Sequence, residues 1–357
     1  MRRAAPVTFL ATASLSVAVV VANSLPFTEG FSPPGGASEA SGAASSPPSG
    51  AGRTAGKVTV ALAGDVHGEP PIRAVLETGG NPLGAMARSL RRADLTVLNV
   101  ETAVGSGGTA QDKQFTFRAP PSLWRALARS GVDVVSLANN HALDYGPGAL
   151  SETISGARRA GIRVVGAGRT AREAYRAVVV RRRGHRVAVV GLSRVLPSTT
   201  WAAGPRRAGL ASAYDEDSAV RAVRAAARRA DRVVVAVHWG EELSRCPNSD
   251  QKRLARKLVA AGADVVAGHH PHVLQGVKRS GRAIVAYSLG NFLFSAGDPA
   301  TRASGVLTAE LGPRGAGVRR FDPASIDAGG RPRPVYGVER RRRLAELDAL
   351  TPGRAGC

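Results

Sequence analysis

The stretch "VVAGHHPHVLQG" (265–276) places three histidines, His269, His270 and His272, directly behind an apolar β-branched run. The whole chain of 357 residues has only seven histidines. His67 lies in "AGDVHG" (63–68), after the strand-like run "KVTVALAG" (57–64), and His141 lies in "SLANNHALDYG" (136–146). His238 lies in "VVVAVHWGEE" (233–242). Six of the seven histidines therefore end or follow β-runs. His185, in "RRGHRV" (182–187), is expected on the surface of a hairpin turn.

Working outward from these runs, strand and helix patterns alternate. Strands are expected over 57–64, 95–100 and 132–138, and helices over 81–93, 121–131 and 148–161. Further on come a hairpin around Gly184 (177–193), a helix over 215–230, "RVVVAVHW", a helix over 249–261, and strand runs at "ADVVAGHH", "RAIVAYSLGNF" and "SGVLTAEL". About ten strands in two sheets result from this reading, and the alternation implies parallel crossovers in a layered α/β fold. Carboxyl ends of parallel strands share one sheet edge, where open α/β folds bind ligands.

That edge collects Asp65, His67, Glu101 ("LNVETAV", 98–104), Asn140, His141, His238 and the 269–272 cluster. Oxygen and imidazole donors without sulfur suit a divalent cation such as Mn, Fe, Zn or Mg. About seven candidate ligands exceed what one four- to six-coordinate ion needs, so a pair of ions is expected.

Formal net charge is +22, nearly all of it from 44 arginines against five lysines. Aromatic residues are few and interleave with no basic stripe, which argues against nucleic acid and leaves a soluble polyanion as a partner. Residues 1–27 hold two arginines and then an apolar stretch, the layout of a signal peptide with Val20 and Ala22 as a cleavage pair, or of a retained N-terminal membrane anchor. Either places the rest outside the cytoplasmic membrane. A Pro/Gly/Ser/Ala linker (28–56) leads to the domain (57–312), and an Arg-rich tail (313–357) with a short charged helix is expected to lie peripherally. Cys246 and Cys357 are the only cysteines, enough for one bridge in an oxidising compartment and for no thiolate site.

In order, "AGDVHG", "NVE", "SLANNHALDYG", "HWGEE", "AGHHPH" and "YSLGNF" resemble the CapA-type poly-γ-glutamate capsule synthesis family, within the calcineurin-like metallophosphoesterase superfamily. The resemblance runs from about Val58 to Leu311. It implies a four-layer αββα sandwich with a dimetal site at the strand ends, and possible partners among membrane capsule-synthase subunits. It implies Asp65 and His67 on one metal, Glu101 as the bridge, Asn140 and His238 on the second, and one each of His270 and His272. His141 would be the proton donor, with Asp144 orienting it. His269 takes an extra place, Glu242 and Asn291 stand behind the ligands, and Arg118 in "FTFRAP" is a candidate for meeting an anionic substrate. The chemistry implied is hydrolysis of a phosphoester; the family's name points instead to a capsule polymer subunit whose metal site is structural.

Overall fold

A run such as Leu95–Val100, buried at all six positions, has no polar face to turn to water and needs cover on both sides. The computed structural model, which describes residues 56–354 and 357, supplies that cover. Segment 1–27, and all of the linker 28–56 except its last residue, lie outside the described residues. No helix among the described residues is long and apolar enough to cross a membrane.

Among the described residues fourteen strands build two large sheets, and four two-residue strands pair off in two small ones. The first seven are β1 (Val58–Val66), β2 (Leu95–Val100), β3 (Val134–Ser136), β4 (Arg163–Val165), β5 (Val178–Arg182), β6 (His185–Ser193) and β7 (Arg232–His238). The others are β8 (Val265–His269), β9 (Val277–Ser280), β10 (Ala283–Ala286), β11 (Asn291–Leu293), β12 (Ala303–Gly312), β13 (Gly315–Ile326) and β14 (Pro332–Pro334). The first sheet runs β14-β13-β12-β1-β2-β3-β4, with β11 also paired to β1. The second runs β9-β10-β8-β7-β6-β5. In the first, β1, β2, β3 and β4 are parallel. In the second, β6, β7, β8 and β10 are parallel.

The helices are α1 (Ile72–Glu77), α2 (Ala87–Arg91), α3 (Ser122–Arg129), α4 (Gly146–Arg159), α5 (Ala171–Ala174), α6 (Glu216–Ala227), α7 (Ser249–Ala260) and α8 (Gly337–Ala349). Strand period two sorts the core into layers. Val60, Leu62, Val97 and Val134 meet Val187, Val189, Val234 and Val265 between the sheets. On the outer face of the first sheet, Ala61, Leu98 and Val135 pack with Leu76, Leu90, Leu123 and Leu150 of the first four helices. On the outer face of the second, Val190, Val235 and Val266 pack with Val223 of α6 and Leu254 and Leu258 of α7. The result is the expected helix–sheet–sheet–helix sandwich. Each fully buried Val or Leu contributes about 1.5–3 kcal/mol.

Several expectations need correction. The strands outnumber ten by β9, β11, β13 and β14: β11 and β14 are three residues long, and β9 and β13 carry charged residues that mask the β-pattern. The helix expected over 81–93 is a 3-10 turn, Gly84–Met86, followed by α2. The segment after Pro313 is not peripheral: β13 pairs along β12 from Gly312↔Gly315 to Ala303↔Ser325 and buries Phe321 and Ala324. Its Arg- and Pro-rich sequence conceals a strand in which Arg319 and Arg320 lie on exposed positions and Asp322 is buried. His185 is buried, not surface-exposed; it opens β6, and its Nε2 lies 2.6 Å from the Gly56 carbonyl oxygen. Cys246 and Cys357 form a disulfide that ties the loop after β7 to the segment beyond α8, across 111 residues of sequence.

Candidate metal centre

The parallel strands of both sheets bring their carboxyl ends to one edge. Asp65 lies near the end of β1, Asn99 in β2 with Glu101 just beyond it, Asn140 and His141 after β3, and His238 and His269 end β7 and β8. Two glycines make the approach possible. A Cβ on Gly64 would sit 2.0 Å from the Gly290 carbonyl oxygen, and one on Gly268 would sit 1.9 Å from that of Tyr287. Only glycine lets the segment carrying Asn291 close over these strands.

Asp65 and Glu101 are fully buried. His238 Nε2 lies 3.4 Å from Glu101 Oε1 and 2.8 Å from Asn140 Oδ1, so the second sheet meets the first here. His272 Nε2 lies 3.8 Å from the same Glu101 oxygen, and its Nδ1 lies 3.6 Å from Asp65 Oδ2. Among the described residues donor atoms form three overlapping groups, each within 4.8 Å: Glu101, His238 and His270; Asp65, Glu101 and His272; and the exposed Glu242 with His270 and His272.

The fit to a cation can be judged from hydrogen bonding. Neither Glu101 oxygen accepts a hydrogen bond, and His270 Nδ1 has none either, although all three atoms are buried. Uncompensated buried carboxylate is costly, and a divalent cation would offset it. The donor set, oxygen and imidazole, fits such an ion.

Burial tunes the same groups. Burial, reinforced by the Glu101 carboxylate, holds Asp65 above the usual carboxylate range. Burial and the neighbouring histidines lower His67 to about 3 and His270 to about 2, and burial takes His238 well below its usual value. These three imidazoles are therefore neutral, with lone pairs free of protons. For His272 burial acts downward, yet the Glu101 and Asp65 carboxylates and the Asn291 hydrogen bond hold it above its usual value.

Around the donors runs a polar frame. Asn99 Nδ2 donates to Asp65 Oδ1 at 2.8 Å and lies 3.3 Å from His238 Nδ1. Asn139 Nδ2 donates to Asn99 Oδ1 at 3.1 Å and to the Val100 carbonyl at 2.8 Å. Asn291 Oδ1 lies 2.8 Å from His272 Nδ1, and its Nδ2 donates to the His272 carbonyl. His270 donates its backbone N–H to Asp65 Oδ2 at 3.1 Å. His270 and His272 hold φ of 96° and 57°, left-handed backbone that costs a non-glycine residue about 1–3 kcal/mol. Such strain persists where surrounding contacts fix the side chains' aim.

Beside the donors, His141 Nδ1 lies 2.7 Å from Asp144 Oδ2. Lys113 Nζ donates to Asp144 Oδ1 at 2.7 Å and to the Asn140 carbonyl at 2.6 Å. The Phe117 ring stacks on the His141 ring at 4.0 Å, and its backbone N–H donates to Asp144 Oδ2.

Three expected site residues stand apart from the donor groups. His67 packs on Phe294 at 4.0 Å and its Nε2 accepts the Ser295 N–H at 2.7 Å, while its buried Nδ1 has no partner. His269 points Nε2 at the Ala63 carbonyl, 3.2 Å away. Arg118 donates to the carbonyls of Ser106, Gly107 and Gly108 and stacks over Tyr145 at 3.5 Å, so its guanidinium braces a loop.

This edge lies inside a match to a family model, described as bacterial capsule synthesis protein, over residues 59–296. The chain belongs to that family. Among curated members, the capsule biosynthesis protein CapA of Bacillus anthracis is 33% identical over 237 residues, covering 65% of this chain and 57% of that one. The PGA biosynthesis protein CapA of Bacillus subtilis (strain 168) is 33% identical over 217 residues, 60% and 56% of the two chains. A probable polyglutamine synthesis accessory protein of Mycobacterium tuberculosis is 32% identical over 189 residues, half of each chain. The chain thus spans little more than half the length of the curated relatives it matches.

Within this site, sequence reasoning missed Asn99, Asn139, Lys113 and Phe117. Asn99 had a signal, a polar residue inside the otherwise apolar run "LTVLNV". Lys113 and Phe117 had none, because they reach Asp144 from a loop without periodicity.

Proposed function

We propose that this chain is a metal-dependent hydrolase of the phosphoesterase kind, acting outside the cytoplasmic membrane in the making or handling of an anionic capsule polymer. The observation that carries the reading is Glu101, a buried carboxylate with both oxygens unbonded, shared by two donor groups beside the His141–Asp144 pair. Asp65, Glu101 and His272 would hold one ion, and Glu101, Asn140, His238 and His270 a second. Divalent cations bound there would lower the pKa of water and polarise a phosphoryl oxygen. Asp144 keeps the His141 Nδ1 proton in place, so that Nε2, in the doubly protonated imidazolium, can hand its own proton to a departing oxygen and be left neutral. Phe117 covers one face of that imidazole and fixes its plane. The disulfide supports an oxidising compartment.

The names of the relatives, which speak of biosynthesis and accessory roles, favour a second reading: a polymer-binding subunit of a membrane capsule-synthase complex, with a structural metal site. Hydrolysis of p-nitrophenyl phosphate and bis-p-nitrophenyl phosphate separates the two. Turnover by the metal-loaded chain, lost in Asn140→Ala and His141→Ala, supports the hydrolase; bound metal without turnover on either ester supports the subunit.

A further inference from the structure

The two sheets end together on one flank, β4 closing the first and β5 the second. Two adjoining cavities, of about 470 and 650 Å³, lie along this flank and share Glu173 and Arg176. Their rims carry Arg158, Arg163, Arg172, Arg176, Arg221 and Arg229, all exposed. Elsewhere some exposed arginines face carboxylates, Arg186 at 2.9 Å from Asp231, Arg319 at 2.9 Å from Glu310 and Arg342 at 2.8 Å from Glu339. Others, such as Arg88, Arg125 and Arg314, form no ion pair among the described residues; what sets the flank apart is a ring of arginines around two joined cavities. The six flank arginines form no close ion pair among the described residues; Arg221 donates to the Ser218 hydroxyl, and Arg221 and Arg158 act on Asp215 and Glu173 only from a distance. Glu173, the one carboxylate lining either cavity, is engaged by Arg169 at 3.1 Å.

We propose that this flank is a binding groove for an extended polycarboxylate chain, which deepens the capsule-polymer reading above and rests on it. Guanidinium groups pair carboxylates through paired N–H donors, and a row of them without internal partners leaves those donors to a ligand. Each pair formed along a polyanion releases counterions, so binding is salt-sensitive. Carboxylate polymer fits better than nucleic acid because the groove lacks a free stacking surface. Its only aromatic residue, Tyr175, is partly buried and donates its hydroxyl to the Ser212 carbonyl at 2.8 Å. The competing explanation is that charge on edge strands only prevents sheet-to-sheet pairing.

The test titrates the full chain, in chelator, with γ-linked polyglutamate, polyphosphate and a single-stranded oligonucleotide of matched charge. Because chelator removes any metal-dependent turnover, the result is independent of whether the chain is a hydrolase. Polyglutamate is expected to bind with salt-dependent affinity. Arg163→Ala/Arg176→Ala is expected to weaken it about tenfold and to reduce the salt slope by about two, whereas Arg314→Ala/Arg341→Ala, removing equal charge elsewhere, leaves it within about twofold. Equal weakening by both pairs, absent polyglutamate binding, or oligonucleotide or polyphosphate binding as tight as polyglutamate would overturn the proposal. So would self-association of the flank variant with polymer binding unchanged.

Discussion

Asp144 Oδ2 lies 2.7 Å from His141 Nδ1, and the other oxygen of the same carboxylate takes Lys113 Nζ at 2.7 Å. The carboxylate is thus held from two sides, and the imidazole is held through it. Asp144→Asn, which can no longer anchor an Nδ1 proton, is expected to lower kcat by about 10²–10⁴-fold with KM little changed. Lys113→Met, which removes a hold on Asp144 and on the Asn140 carbonyl, is expected to cost about 10–100-fold in the same parameter. Steady-state kinetics on p-nitrophenyl phosphate check both; a change confined to KM would contradict them.

Asn99 touches both Asp65 and His238 without belonging to any donor group, and Asn291 fixes the tautomer of His272. Removing either partner leaves a ligand free to turn. Asn99→Ala and Asn291→Ala are each expected to weaken metal affinity about 10–100-fold, by competition with a chelating dye, while the melting temperature without metal falls only modestly.

Stability without metal should fall on acidification. His67 at about 3, His270 at about 2 and His238 well below its usual value stay neutral in the folded chain, whereas their unfolded counterparts take up protons near pH 6.5. Below that pH the unfolded state binds more protons, so unfolding free energy drops as pH falls from about 6.5 toward 3. Asp65 and His272, both raised, bind protons more readily when folded and act in the opposite sense, but the three lowered histidines outnumber them. Urea midpoints in chelator are expected to be lower at pH 5 than at pH 7.5. A midpoint that rises on acidification would show that these histidines are not held neutral.

The segment after Pro313 supplies a full sheet neighbour to β12. Cutting the chain at Gly312 would strip Phe321, Ala324, Ile326 and Leu350 from the core and bare the β12 edge. The truncated chain is expected to be insoluble or to lose its cooperative melt, whereas removal of a peripheral tail would leave both intact.

How far the sequence discloses this molecule follows from which forces set each feature. Parallel strands such as Leu95–Val100 and Arg232–His238 announce themselves because burial on both faces demands continuous apolar residues, and the metal-site donors follow them at their carboxyl ends. β13 stays hidden because Arg319 and Arg320 stand exposed in it and Arg319, the extra residue opposite Thr308 and Ala309 of β12, breaks the alternation. His185 looks like a turn residue, since its hairpin is local while its partner, the Gly56 carbonyl, is distant in sequence. Lys113 and Phe117 are long-range partners of Asp144, and nothing in a single chain reports pairing across such a loop.

In the proposed function Glu101 is the shared anchor of a cation pair. Elemental analysis of the purified chain after exchange into metal-free buffer, beside Glu101→Gln, tests it most directly. About two equivalents of divalent metal in the wild type and a near-complete loss in Glu101→Gln are expected. A wild-type chain that retains no metal, or a Glu101→Gln chain that retains as much, would contradict it.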